Sequence, residues 1–433
     1  MLAQKVDDYL EVLDRDISAQ LDAILHHERF QALESAWRSL VTLVDKTDFD
    51  QIKLVLAQVT KDELRNNFEY AAQTEDTVWY DWIYKRGMGQ FGGDIVGTVI
   101  GNFVFDKSEQ DIKLLRNLAK VGAMAHAPFI GAVAPQFFGW NSWDDLPEWG
   151  KELSSTLQND EYTSWKSFRN DENARYVALT LPRVLLRSPY DPKNNQAGDI
   201  CKDYKESHGS HDNYLWGNAS FALAGCMATS FTQYGWLADI IGPQSGGAVK
   251  DLPVHLYEGA AGKTAKIPTE VLIPFHEEHV LSEEGFIGLT MREHSDEAVF
   301  FSDSTVLKPK NFIDKASQDD YALSTKLTYM SLINRVSHYL KCEQVEKLGS
   351  SMSATDLKNH LQETVKQWIT ANENPQPEIK SKRPFKDIKV EVSDIEGHPG
   401  WYQVTLRATP HIKYHGAYFT LTLTAPRRVV QNG

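Results

Sequence analysis

Apolar positions along this chain follow two periods, and the change between them divides the molecule. Across residues 4–26, Val6, Tyr9, Leu10, Leu13, Ile17, Leu21 and Ile24 recur at helical spacing, with Asp7, Asp8, Glu11, Asp14 and Asp16 on the remaining surface. A second helix is predicted over 28–44, with Phe30, Leu33, Trp37 and Leu40 on one face. Residues 50–59 alternate as a strand (Ile52, Leu54, Leu56), and 61–70 read as a helix. A glycine-rich stretch, 87–101, ends in the strand-like run Ile95–Ile100. Ser108 with Asp111 makes a capping-box-like start for a helix over 109–125, whose apolar face is Ile112, Leu115, Leu118 and Val121. Pro128–Ala134 follows as a short buried strand. This strand–helix–strand order predicts a mixed α/β core.

Further along, Tyr176–Leu181 is a short apolar strand, 189–213 a long polar surface loop, and 214–234 an Ala/Gly-rich helix. A hairpin is expected over 254–273 around Gly259 and Gly262, then a long helix over 321–340. Ser353 and Asp356 cap a helix that buries Leu357, Leu361, Val365 and Trp368. Pro375 and Pro377 then break the pattern, and the period becomes two. Ile388, Val390 and Val392 alternate with polar residues, as do Tyr402, Val404 and Leu406, and then Phe419, Leu421 and Leu423.

Three stretches result: an amphipathic arm (1–26), an α/β core (27–374), and a linker with terminal strands (375–433). The arm packs either on its own core or on a partner. The terminal strands leave open edges. They are satisfied either by the main body or by a strand from another chain, and the proline-rich joint favours the second.

Composition narrows the function. The 433 residues are 42% hydrophobic and carry a net charge of −14, which argues against a general nucleic-acid binder. Cys201, Cys226 and Cys342 stand far apart, as expected of a reducing compartment. The first residues do not read as a signal peptide and no apolar run is long enough to cross a bilayer, so a cytoplasmic location without membrane insertion is expected.

Catalytic patterns fail on inspection. Gly262-Lys263-Thr264 resembles the end of a phosphate loop, but Tyr257 stands where the first glycine is needed. Gly89–Gly93 reads as a tight turn. His26-His27, His208/His211 and His276/His279 lack metal-site spacing. Neither a cofactor nor a metal is implied. The densest chemistry is Trp165–Pro189, which sets Arg169, Arg175, Arg183 and Arg187 around the 176–181 strand. Those arginines either pair with internal carboxylates or anchor an interface.

That block resembles a signature of the large subunit of the type VI secretion contractile sheath, the TssC/VipB/ImpC/EvpB-like family. Further blocks resemble the same family: His27-x-x-Phe30-x-x-Leu33-Glu34-x-x-Trp37-Arg38-x-Leu40, Phe91-Gly-Gly93 with Ile100-Gly101, Ala125–Ile130, Tyr214–Ala219, Tyr234-Gly-Trp236, His338–Cys342, and His398-Pro-Gly-x-Tyr402 with Pro410-His411. The resemblance implies a mixed α+β sheath fold without catalytic residues. It also implies a C-terminal extension whose strands interlock with neighbouring subunits. The partners it implies are a small sheath subunit (TssB/VipA-like), further copies of the chain in a helical sheath, an Hcp inner tube and a baseplate. Family members carry a longer N-terminal extension that includes a helix recognised by a ClpV-type ATPase; here few residues precede Leu25-His-His27, so either the 4–26 helix takes that role or recycling works differently. Helix 353–372 is the candidate for the inner surface. The alternative is an accessory or baseplate adaptor of a contractile injection system.

Overall fold

Periodicity places the first two helices correctly: α1 spans Leu2–Leu25 and α2 spans Glu28–Asp45. The computed structural model describes residues 2–411 except 144–148, 193–203, 260–261, 293–294, 311, 348–350, 371, 373–374 and 397–400. Phe419, Leu421, Leu423, Cys201 and the 397–400 turn therefore lie outside the described residues. After α2, residues 52–60 form neither helix nor strand, a correction to the strand expected at 50–59. Alternation sets an extended backbone; a strand also needs a neighbour. Helix α3 (Lys61–Tyr70) starts at a reciprocal capping box between Thr60 and Glu63. Short α4 (Val78–Tyr80) follows.

Strand β1 covers Val99–Phe105, starting later than the apolar run at Ile95. Helix α5 runs Glu109–Ala125 as expected, with the Asp111 amide donating to Ser108. Asp111 does not return the cap. Its buried carboxylate accepts from the Asp106 amide (2.9 Å), Lys61 (2.6 Å) and Arg65 (2.5 Å). Next come β2 (Phe129–Val133), α6 (Trp149–Thr156), α7 (Thr163–Arg169) and β3 (Val177–Leu181). Strand β4 (Val184–Leu185) pairs with β5 (Trp216–Gly217), so the helix expected from 214 starts only at α8, Ala219–Tyr234. Gly235, at φ 72°, ends it in the left-handed conformation that suits glycine.

The second half adds β6 (Ala248–Val249), the hairpin β7 (His255–Gly259) and β8 (Gly262–Lys266), α9 (Phe275–Glu283), β9 (Ile287–Met291) and β10 (Ala298–Phe300). Six strands form one sheet in the order β1-β2-β3-β9-β10-β6. The first four run parallel, β10 runs against them, and β6, antiparallel to β10, runs with the first four. Helix α5 covers one face through Ile112, Leu115 and Leu118 against Phe129, Val177 and Leu179. Helix α8 covers the other, with Leu223 and Met227 on Ile130, Ala178 and Leu289. The result is the mixed α/β core that strand–helix–strand order implied.

The helix expected over 321–340 is two: α10 (Lys315–Leu323) and α11 (Leu327–Glu346). A tertiary contact interrupts it. Asp303 accepts the Leu327 amide through its carbonyl and the Thr328 amide through its carboxylate, both at 2.8 Å, and Thr305 donates to the Thr325 carbonyl. Then come α12 (Ala354–Lys366), capped by Ser353 and Asp356, α13 (Pro377–Lys382), and an antiparallel hairpin of β11 (Phe385–Asp394) and β12 (Tyr402–Pro410). These elements build a second core: Val336 and Leu340 of α11, Leu357, Leu361 and Val365 of α12, Phe385, Ile388 and Val390 of β11, and Trp236 after α8. The proline-rich segment does not stand between two bodies. Pro375 is buried, and the Thr370 amide donates to the Phe385 carbonyl at 3.0 Å.

Candidate subunit interface

The arginines of the 165–189 block are held within the chain. Arg169 is buried and bonds Glu284 and the carbonyls of Glu283 and Val306. Burial works against its charge, and Glu284 opposes that effect. Arg187 is also buried, between Glu206 at 2.6 Å and Glu34 of α2 at 2.8 Å, over the Tyr190 ring. Arg183 clasps Glu270 with two nitrogens. Burial alone would raise the Glu270 carboxyl, but Arg183 and His211 hold it down at about 2. Arg175 pairs with Glu172 one turn earlier. All four arginines pair within the chain; Arg169 and Arg187 are buried with their partners, whereas Arg183 keeps part of its side chain exposed. Glu206 was hidden from sequence reasoning. It is buried on the loop expected to be all surface, and nothing local marks it.

The C-terminal ribbon is half closed. Ile388 and Val390 are fully buried on α11 and α12, so they are core rather than free interface. Val392, Tyr402, Val404, Leu406 and Ala408 share that face but stay partly exposed. Gln362 of α12 reaches the outer edge of β11, donating to the Ile388 carbonyl (2.8 Å) and accepting the Val390 amide (3.0 Å). A side-chain amide so placed stands in for a neighbouring strand. Antiparallel strands alternate which residues point outward, and Ile388 and Val390 lie opposite Ala408 and Leu406. The outward main-chain groups of β12 are therefore those of Tyr402, Val404, Leu406 and Ala408, and no described residue bonds them. Edge β11 is bonded by Gln362 at Ile388 and Val390; edge β12 is unpaired among the described residues.

The N-terminal helices present the opposite arrangement. The α1 stripe faces outward, with Val6 52%, Tyr9 67%, Leu13 43% and Ile17 50% exposed. On α2, Leu33 (56%), Trp37 (57%) and Val41 (55%) are exposed as well. The packed side of α2 combines Leu43, buried against Ala224 and Ala228, with small and polar groups. Ser35 donates to the Trp216 carbonyl, Ser39 sits where a Cβ on Gly217 would be, 2.8 Å from its hydroxyl, and Glu34 meets Arg187. About half of the large apolar side chains exposed among the described residues fall in the first 56 positions. Patches of that extent mark interaction sites.

Among the described residues no three His, Cys, Asp or Glu side chains converge on a metal-sized site. Gly262-Lys263-Thr264 lies on β8, paired with β7, rather than at a helix start. His276 and His279 are exposed on α9, while Glu278 between them is buried, donated to by Ser302, and pushed up to about 7 by burial. His338 of α11 bonds the Ala125 carbonyl at 2.8 Å, and His126 contacts the Tyr176 hydroxyl. Burial, then the neighbouring Lys341 and His338, lower His126 to about 4. These histidines join the two cores, and burial lowers His338 as well. No described helix is long and apolar enough to cross a membrane.

Comparison with known proteins agrees with this architecture. Residues 7–307 match the model of the EvpB/VC_A0108 tail sheath N-terminal domain, and residues 316–426 match the EvpB/VC_A0108 tail sheath gpW/gp25-like domain. The second match includes α11, α12 and the ribbon, the elements of the second core. The chain is 32% identical over 430 residues to the type VI secretion system sheath protein TssC1 of Pseudomonas aeruginosa, covering 98% of this chain and 86% of that protein. A cryo-EM structure of the contracted helical sheath of the anti-feeding prophage is similar at 13% identity and a TM-score of 0.33, over 74% of this chain and 68% of that one. Matched nearly end to end by the two sheath models and by TssC1, the chain belongs to the VipB/EvpB family of tail sheath proteins, the large subunits of type VI secretion sheaths.

Proposed function

We propose that this chain works as a non-catalytic building block, polymerising with a small TssB/VipA-like sheath subunit into a helical, cytoplasmic sheath around an Hcp-type inner tube. The observation that carries the reading is the uncovered apolar face of α1 and α2 on a chain of the sheath family. Each such side chain, once covered, contributes about 1.5–3 kcal/mol, so the stripe suits a lasting partner better than water. In this reading the small subunit docks on α1–α2, and a strand from a neighbouring subunit adds to the open edge of β12. Repetition of these unlike contacts gives an open helical polymer. Contraction then drives the inner tube outward from a baseplate. A ClpV-type ATPase would act on α1 once contraction exposes it. Co-expression with the small sheath subunit, followed by negative-stain imaging, tests the reading. Tubes with a helical repeat are expected. A stable lone monomer that ignores the small subunit would count against it, and a discrete complex without a repeat would favour an adaptor.

A further inference from the structure

A cavity of about 130 Å³ lies beside α7, walled by Trp165, Lys166, Arg169 and Asn170 of that helix and its cap, together with Gln158 and Lys308. A water needs roughly 10–15 Å³ of such space, so a phosphate-sized group fits. Lys308 is held there by its main chain, whose amide donates to the Arg169 carbonyl at 2.8 Å. Among the described residues, three cations and no carboxylate line the cavity. Their donors are not all used. Trp165 is 1% exposed, and its indole N–H has no acceptor among the described residues. Phe137, Phe168 and Phe286 pack round that ring and offer none. Arg169 bonds Glu284 and the carbonyls of Glu283 and Val306, one through each nitrogen, so Nη1 and Nη2 each keep a second N–H. The Lys166 ammonium donates to the Gln158 carbonyl at 2.7 Å, and no carboxylate among the described residues pairs with it or with Lys308. A buried donor without a partner is rare and calls for one. Burial also works against the Arg169 charge more than Glu284 restores it, which favours a second anion beside it.

We propose that this cavity binds one free phosphate-sized oxyanion. Such an ion offers acceptors to a wall of cations and unpaired N–H groups, and charge-assisted hydrogen bonds of this kind are the strong ones. The wall also runs from the interior to solvent: Trp165 and Arg169 are buried, Lys166 is half-buried, and Lys308 is exposed. An ion can therefore enter without the chain unfolding. Its place has a structural consequence. Lys308 follows directly on residue 307, where the first sheath-domain match ends, and leads toward α10. An ion held between α7 and Lys308 ties that exit to the first core.

Calorimetric titration of the full chain with inorganic phosphate, at an ionic strength held constant with sodium chloride, tests it. One saturable site is expected, and the melting temperature should rise as that site fills, with no such rise in chloride alone. Lys166→Gln combined with Lys308→Gln should weaken binding by about tenfold or more. Lys310→Gln changes a nearby lysine that pairs with Glu172 outside the wall, and should bind as wild type. Trp165→Phe keeps the ring packing but removes the N–H, and should lose about fivefold in affinity. Absence of a saturable site would overturn the proposal. Full affinity in the double lysine variant, or in Trp165→Phe, would place the bound phosphate elsewhere and overturn it too. Tighter binding of ATP than of phosphate would assign the cavity to a phosphate ester and overturn the free ion.

Discussion

The N-terminal helices and the C-terminal ribbon carry equally regular apolar patterns, yet they end in opposite surroundings. Ile388 and Val390 of the ribbon are fully buried by α11 and α12 of the same chain, whereas Leu33 and Trp37 of α2 point away from every described residue that could cover them. The difference lies in what is available nearby. The ribbon packs on a capped helix, α12, whose Leu357, Leu361 and Val365 form a complementary row. The α2 helix is seated on β5 by small and charged groups, and this turns its stripe outward. A period identifies the apolar face of an element but leaves open which chain will bury it.

Truncation should separate the two regions most sharply. Removing residues 380–433 uncovers Leu340, Leu357, Leu361 and Val365, so the α11–α12 unit should lose cooperative protection in hydrogen exchange. Removing residues 1–25 should leave the melting temperature of the free chain nearly unchanged while abolishing pairing with the small subunit. Persistent protection of α12 without the ribbon would erase the contrast drawn here. Point changes should follow the same division. Phe385→Ala should cost about 3–5 kcal/mol in denaturant unfolding, against about 0.5 kcal/mol or less for Trp37→Ala.

Acid should act on the joint between the cores before it acts on the N-terminal face. His126 is held near 4 in the folded chain, below its ordinary value of 6.5, so the unfolded chain binds the extra proton between those pH values. Stability from this site is therefore full above pH 6.5 and lost as pH falls toward 4. A His126→Gln variant should flatten the dependence of melting temperature on pH in that window; an unchanged slope would place the titration elsewhere. Glu278 has the opposite sign. Its folded carboxyl titrates at about 7 against an ordinary 4.5, so its contribution is full below 4.5 and lost as pH rises through 7. More locally, Gln362→Ala should cost about 1 kcal/mol and speed exchange at the Val390 amide, while β12 amides stay as they were. No change at Val390 would mean that its edge is protected by something other than Gln362.

Much of the molecule could be read locally. Residues 109–125 carry their helix boundaries in Ser108 and in a period of 3.6, and 353–366 do the same through Ser353 and Asp356. Other parts needed distant residues. The break between α10 and α11 comes from Asp303, and the closed edge of β11 comes from Gln362. The arginine block was correctly found as the densest chemistry, yet its meaning turned on Glu284, Glu270, Glu206, Glu34 and Glu172, and of these only Glu172 lies within the block.

Composition and periodicity were enough to establish which segments are helical or extended, where the period shifts, and that the chain resembles a sheath subunit. Those properties depend on neighbours within one or two turns, and such neighbours are written in order along the chain. Folding settled the rest: that α2 shows Leu33 and Trp37 to solvent, that Arg169 and Arg187 are enclosed while Arg183 stays part-exposed, and that Gln362 bonds one ribbon edge while the other is unpaired among the described residues. Each of these depends on residues far apart in sequence meeting in space, and no local pattern records which of several complementary surfaces will be the one that meets.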